Sequence, residues 1–187
     1  MKNFIEVTEL KKVFGNGKDE VHAFGPATIN INTGEFVSIL GPSGCGKSTL
    51  MLMVAGLLDS TSGKVEFESK LVKGPKTDIG IMFQDNTLVP WRTVKGNIEL
   101  QLELRGFNLK DYQEKIYNIL KSVNLEDFAE RFPNELSGGM QQRAAFCQAM
   151  IHDPKIILLD EPLGKLDAMT REKIRADFQK LWMVKKP

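Results

Sequence analysis

The stretch EFVSILGPSGCGKSTLMLMVAGL, residues 35–57, holds three patterns whose order decides the fold. Residues 35–40, EFVSIL, are largely apolar or β-branched and read as a buried strand, whereas STLMLMVAGL, residues 48–57, reads as a helix. Between them GPSGCGKST, residues 41–49, fits G-x-x-x-x-G-K-[ST]. Glycines let successive backbone N–H groups turn toward phosphate oxygens, and the helix that follows adds the positive end of its dipole. On this reading Gly41, Pro42, Ser43, Gly44, Cys45, Gly46 and Thr49 belong to a phosphate cradle. Lys47 reaches the β- and γ-phosphates and the Ser48 hydroxyl ligates Mg²⁺. A glycine-rich turn that binds nothing is the alternative. The pattern arises by chance in roughly one chain of this length in a hundred, and the flanking strand and helix make coincidence rarer still.

A cradle alone leaves kinases, GTPases and ATPases open. The stretch KIILLDEP, residues 155–162, narrows the choice, because four aliphatic residues run into two carboxylates. It reads as a fully buried parallel strand with acids at its C-terminal edge, where ligands bind in open α/β sheets. Asp160 is placed there to hold the Mg²⁺ shell and Glu161 to polarise an attacking water. Two solvated carboxylates at a strand end is the plainer reading. Before this strand, in residues 134–154, Ser137 reads as an N-cap and Gly138 and Gly139 bare backbone amides. Ala144, Ala145 and Ile151 mark a helix that Pro154 follows. The glycine pair is either an ordinary helix start or a second anion site.

Composition excludes several classes. Lys and Arg total 25 against 24 Asp and Glu, a net charge of +1 with no sustained basic block, so no nucleic-acid partner is indicated. Two cysteines, Cys45 and Cys147, fit neither a disulfide framework nor a zinc site and read as reduced thiols in a cytosolic protein. MKNFIEVTEL alternates like a strand and lacks the apolar core of a signal peptide, and the longest apolar run, residues 50–58, is about half of what a membrane span needs. His22 and His152 have no partners at metal-ligand spacing and read as surface residues.

Together these stretches resemble the ATP-binding-cassette (ABC) proteins. LSGGM, residues 136–140, is similar to the family signature, and five further motifs stand in order around it. Phe14 in KKVFG matches an aromatic that stacks on adenine; residues 41–49 match Walker A. Gln84 in IMFQD matches a glutamine of the Mg²⁺ shell, IILLDE matches Walker B, and GKLD, ending at Asp167, matches a loop that crosses the dimer. The resemblance implies a head-to-tail dimer in which Ser137, Gly138, Gly139 and Asp167 of one subunit meet ATP held by the other. Pro90, Trp91 and Arg92, with SGGMQQR and EPLGKLDAMTR, resemble the ATPase subunits of bacterial importers for nitrate, sulfonates, taurine and thiamine precursors. That subfamily implies a cytoplasmic subunit, peripheral on the inner face of the membrane, and a permease whose helix docks near Trp91. A solute-binding protein is an indirect partner. Without the resemblance, Phe14 reads as a core or staple residue, Gln84 as an ordinary strand-end polar group and Trp91 as a buried side chain under its loop.

The expected fold is α/β. A P-loop NTPase (RecA-like) core carries an antiparallel β subdomain, from NFIEVTEL, ATININ and GKVEFES, and an inserted α-helical subdomain. One ABC ATPase domain covers residues 1–187, with the nucleotide core in 1–89, the helical signature part in 90–153 and the return to the core in 154–187. Ile116, Leu120 and Val123 fall on one helical face. Met140 stands where the family usually has Gln, and Lys165 where these importers usually have Ala. After a helix carrying Ile174, Phe178, Leu181 and Trp182, the family continues into a core strand that ends in a switch histidine, whereas this sequence stops at Pro187. The C-terminal strands are therefore expected to be missing. Apolar surface on the sheet and on the 168–183 helix is expected to be uncovered or shifted onto an oligomeric partner. The main expectation is an ATPase subunit; the alternatives are a nucleotide-binding module with impaired hydrolysis and a non-transport ABC ATPase.

Overall fold

Alternating apolar residues Ile5, Val7 and Leu10 make the N-terminal segment a strand with one buried face. In the computed structural model, which describes residues 3–85, 87–162, 164, 171, 172 and 175, this strand is β1 (Asn3–Phe14). It pairs antiparallel with β2 (Val21–Asn32) on one side and β3 (Ser62–Phe67) on the other, and β3 continues to the short β4 (Lys70–Leu71). The order β2-β1-β3-β4 is the antiparallel subdomain anticipated from the alternation. Val65 and Phe67 share the buried face with Ile5 and Val7, opposite which they pair, and Phe4 meets Phe67 edge-on at 4.9 Å. Helix α1 (Lys47–Val54) buries Leu50, Met51, Met53 and Val54.

The chain divides at Lys76/Thr77 into two compact units. In the second, β5 (Ile79–Met82) and β6 (Ile156–Leu159) pair in parallel. They accompany the helices α2 (Val94–Glu103), α3 (Gln113–Ser122) and α4 (Gly138–Met150). Val94, Ile98 and Leu102 recur at helical spacing on α2, Ile116, Ile119 and Leu120 on α3, and Ala144, Cys147 and Ile151 along α4. These residues, with Met82, Val123, Leu125 and Phe146, form one continuous apolar core. The Ile116, Leu120 and Val123 face is buried as expected. Gly80 of β5 lies hard against the end of α4, where a Cβ would collide with the Ala149 carbonyl oxygen. No helix among the described residues is long and apolar enough to cross a membrane.

Two strand expectations are corrected. Residues 35–40 form no strand: Phe36 is 77% exposed and Leu40 89%. The cause is pairing rather than propensity. The chain leaves β2 at a turn in which the Glu35 N–H donates to the Asn32 carbonyl at 3.2 Å and the Glu35 carboxylate accepts from the Asn32 N–H at 2.8 Å. No described strand offers residues 35–40 a ladder beyond that turn, and β-branched residues stabilise a strand only where a neighbour receives them. The expectation of a fully buried β6 is corrected as well, since only Ile156 is buried and the next three residues are half-buried.

Candidate functional site

The cradle is built by backbone conformation. Gly44 and Gly46 have φ of +78° and +94°, the left-handed region that side chains avoid. A Cβ at Gly46 would collide with the Ala23 carbonyl oxygen, and one at Gly41 would lie 2.6 Å from Cys45 Sγ. The loop thus packs as tightly as only glycine permits at those positions, and it delivers the chain into α1 at Lys47. The Lys47 Nζ donates to the carbonyls of Gly41 at 3.0 Å and Pro42 at 2.9 Å, with Cys45 Sγ 3.9 Å away. Ser48 is exposed and Thr49 half-buried in the first turn. Phe14, at the end of β1, is 45% exposed. Lys12 Nζ lies 4.9 Å from its ring centroid and donates to the Asp59 carbonyl at 2.7 Å. Half-exposure removes the plain reading of Phe14 as a core residue.

The acidic pair lies in the second unit. Met82 pairs with Leu159, so the parallel register sets Gln84 and Glu161 side by side, each two residues past the last rung. Gln84 Nε2 donates to Glu161 Oε2 at 3.2 Å, and the Asp160 N–H extends the ladder to the Met82 carbonyl at 2.9 Å. Glu161 itself has φ of +45°, a left-handed conformation for a residue with a side chain. Strain of this sort persists only where surroundings over-determine it; here the turn is closed by the Gly164 N–H donating to the Glu161 carbonyl at 3.0 Å. Asp160 is half-buried and Glu161 exposed. The expected Mg²⁺ set of Ser48, Gln84 and Asp160 offers a hydroxyl, an amide and a carboxylate. These are hard oxygen donors of the kind Mg²⁺ takes when phosphate supplies the rest. Among the described residues no group of three or more His, Cys, Asp and Glu side chains could hold a metal ion.

The glycine pair opens α4 as expected. Ser137 is the N-cap, its Oγ accepting from the Met140 N–H at 3.3 Å. Ser137 and Gly138 are exposed, Gly139 is buried, and a Cβ at Gly138 would meet nothing within 4 Å. Asp167 and Lys165 lie outside the described residues.

Sequence reasoning missed three features of this unit. Asn97, in the middle of α2, is fully buried. Its Oδ1 accepts from the Val89 N–H at 2.6 Å, and its Nδ2 lies within 3.1 Å of the carbonyls of Val89, Arg92 and Thr93. One amide thereby closes the whole Val89 to Thr93 turn, and its only advance signal is a polar residue one position before the apolar Ile98. A second omission is the cleft of about 670 Å³ between Pro90 and Trp91 on one wall and residues 127–135 on the other. Trp91 is 77% exposed, which corrects the plain reading of a buried tryptophan. Two backbone bonds of 2.8 Å join the walls, from the Val94 N–H to the Arg131 carbonyl and from the Lys95 N–H to the Ala129 carbonyl. The cleft wall continues into the signature: Gln141 of α4 donates from Nε2 to the Pro133 carbonyl at 2.7 Å and lies 3.4 Å from that of Leu136. Third, His152 is not a surface residue. It is half-buried after α4, its Nε2 accepting from Arg105 Nη2 at 3.3 Å. Burial, with the Arg105 charge beside it, pushes the imidazole down to about 4.

A glycine cradle opening a helix, a carboxylate pair ending a parallel strand and a serine-capped glycine pair define an ATP-binding-cassette domain. The comparisons agree: a family model described as ABC transporter matches residues 24–164, and the chain belongs to that family. Among curated relatives, it is 42% identical over 186 residues to the uncharacterized ABC transporter ATP-binding protein MJ0412 of Methanocaldococcus jannaschii, covering 100% of this chain and 70% of that protein. It is 44% identical over 162 residues to the taurine import ATP-binding protein TauB of Jannaschia sp., covering 87% and 60%. To the nitrate import ATP-binding protein NrtD of Synechocystis sp. it is 40% identical over 178 residues, covering 95% and 67%. The chain therefore spans less than two thirds of that TauB protein. Among solved structures, the dimeric post-hydrolysis state of the ATP-binding cassette MJ0796 bound to ADP and Pi superposes with a TM-score of 0.83 at 35% identity, over 95% of this chain and 82% of that one. The fold is that of an ABC ATPase cassette.

Proposed function

We propose that this chain is the ATP-binding subunit of a bacterial ABC importer, coupling ATP binding and hydrolysis to uptake of a small solute such as nitrate, a sulfonate or taurine. The observation that carries the catalytic part is the Gln84 and Glu161 pair at the common end of β5 and β6, 3.2 Å apart. A carboxylate fixed by an amide at a strand end is oriented to accept a proton from water. On this reading Phe14 and residues 41–49 hold the nucleotide, with Lys47 meeting its phosphates. Ser48, Gln84 and Asp160 hold Mg²⁺, which supplies charge neutralisation to the transferring phosphoryl group. Ser137, Gly138, Gly139 and Asp167 serve the nucleotide of a second, head-to-tail subunit. The chain is then one ATPase domain, with its nucleotide core in 1–89, its helical signature part in 90–153 and a return to the core in 154–187. It acts at the cytoplasmic face of the membrane beneath a permease, which a solute-binding protein feeds.

The test is Mg²⁺-dependent ATP binding and steady-state hydrolysis by the full chain beside Glu161→Gln. Binding retained by the variant with turnover lost at least about 100-fold, the scale of a lost general base, is the expected result. Equal turnover in both, or no Mg²⁺-dependent binding of ATP, overturns the assignment.

A further inference from the structure

We infer that Lys12 is a positioning residue for the nucleotide base: its ammonium, anchored against one face of the Phe14 ring, orients that ring and draws electron density from it, so that a purine stacks on the opposite face. This rests on the reading of Phe14 as the aromatic that meets the base, and it adds a residue that acts through the ring rather than by touching the nucleotide.

Phe14 is half-exposed and ends β1, opposite Val21 of β2. The chain turns away at once, since Gly15 has φ of +79° and a Cβ there would collide with the Asp19 carbonyl oxygen. Toward β3 the ladder has already stopped: among the described residues the last β3 partner of β1 is Ser62, opposite Lys11. The residue before that partner supplies the next rungs. The Thr61 N–H donates to the Lys11 carbonyl at 2.8 Å, while the Thr61 Oγ1 accepts from the Val13 N–H at 3.0 Å and donates to the Val13 carbonyl at 3.2 Å. One hydroxyl thus holds both backbone groups of the residue preceding Phe14, at a strand end that would otherwise fray.

Lys12 then fixes the ring itself. Two positions apart on a strand, Lys12 and Phe14 leave the same face, and the Lys12 Nζ lies 4.9 Å from the Phe14 centroid. The same nitrogen donates to the Asp59 carbonyl at 2.7 Å, which ties a flexible four-carbon stem to the chain leaving α1. An ammonium within about 6 Å of an aromatic centroid is attracted to the negative ring face, so one face of Phe14 is held toward Lys12 and the other is left for a ligand. A bare phenyl ring repels a second ring set squarely upon it, because both present negative faces. A cation behind the ring draws that charge back and relieves the repulsion. What gains is a broad flat π system, a purine base, and not the phosphates.

The experiment titrates the full chain by calorimetry with Mg·ADP, which is not hydrolysed during the measurement, and separately with Mg²⁺ and inorganic pyrophosphate. The buffer holds about 0.3 M salt, which screens exposed charges beyond roughly 6 Å. Wild type is compared with Lys12→Met, Lys12→Arg, Phe14→Leu and the double variant Lys12→Met with Phe14→Leu, after urea unfolding has established that each is folded. Lys12→Met should weaken ADP binding about two- to fivefold, the scale of an exposed cation–π contact. It should leave pyrophosphate binding unchanged and add no loss to that of Phe14→Leu, and Lys12→Arg, which keeps a cation over the ring, should bind ADP as wild type does. Equal losses for ADP and pyrophosphate in Lys12→Met would mean that the lysine serves the phosphates, and a loss that persists in the Phe14→Leu background that it does not act through the ring. Either result overturns the inference with the nucleotide reading intact, as does Lys12→Met binding ADP like wild type while Phe14→Leu does not. If Phe14→Leu itself binds ADP as tightly as wild type, the reading of Phe14 fails and the inference falls with it.

Discussion

Replacing Asn97 by alanine removes the single side chain that closes the turn from Val89 to Thr93, and the cost can be worked group by group. The Asn97 side chain makes one bond as acceptor, to the Val89 N–H at 2.6 Å, and shares its two amide hydrogens among three carbonyls. After truncation the Val89 carbonyl keeps the Arg92 N–H at 3.1 Å, and the Thr93 carbonyl keeps the backbone N–H of residue 97 at 2.9 Å. The Val89 N–H and the Arg92 carbonyl lose the partner that this side chain gave them. A buried donor left unsatisfied costs about 1–3 kcal/mol and a lost shared acceptor about 0.5–1 kcal/mol, so Asn97→Ala should destabilise the chain by about 2–3 kcal/mol. In urea unfolding, with a slope of about 2 kcal/mol per M, the midpoint falls by about 1 M with the slope unchanged. Asn97→Asp is the sharper arm. It retains an acceptor for Val89 but aims a second carboxylate oxygen at three carbonyls, so it should be worse than alanine despite its closer shape. A midpoint shift below about 0.3 M for alanine, or an aspartate variant as stable as wild type, refutes the reasoning.

Three further outcomes follow from the geometry. Gly46→Ala, at φ +94° and against the Ala23 carbonyl, should cost about 2 kcal/mol or more and weaken ATP binding, checked by urea unfolding and nucleotide titration. Mg·ATP should protect Cys45, exposed in the cradle beside Lys47, from alkylation; equal labelling rates with and without nucleotide contradict its placement. His152 is held neutral in the folded chain, at about 4 against 6.5. The unfolded chain therefore binds more protons between those values, and stability is fully present above about pH 6.5 and lost as pH falls toward 4. The shift alone sets a ceiling of about 3 kcal/mol, which solvent screening of a half-exposed ring lowers to about 1 kcal/mol. His152→Gln should flatten that part of the stability profile measured by urea titration across pH.

The parts of this molecule that were legible in advance are those in which neighbours in sequence carry the information. The alternation of Ile5, Val7 and Leu10, the helical spacing of Ile116, Leu120 and Val123, the Ser137 cap and the glycines of the cradle each announce their local geometry. Pairing does not announce itself. Residues 35–40 have the composition of a strand, yet a ladder also needs a neighbour that their own residues cannot specify. Asn97 looked like any polar residue on a helix because its partners were backbone groups, which carry no residue identity. His152 escapes the sequence for a similar reason, since its burial is set by tertiary packing and its partner Arg105 lies 47 positions away. The side-by-side placement of Gln84 and Glu161 depends on the register of two strands 77 residues apart. The family resemblance gives Gln84 a place in the Mg²⁺ shell but does not anticipate its bond to Glu161.

The contact of Gly80 with the end of α4 fixes one end of a long arm. Its C-terminal end bears on the β5 backbone at a point where no side chain fits, and 13 residues before Met150 stands its N-cap, Ser137, followed by Gly138. At 1.5 Å of rise per residue the arm is about 20 Å long, so a tilt of about 3° at the glycine displaces the serine by about 1 Å. Gln141, bonded to Pro133 on the cleft wall, grips the same arm near its other end. At that reach, the placement of the Ser137 hydroxyl to within hydrogen-bonding range depends on the Gly80 contact and the Gln141 bond together.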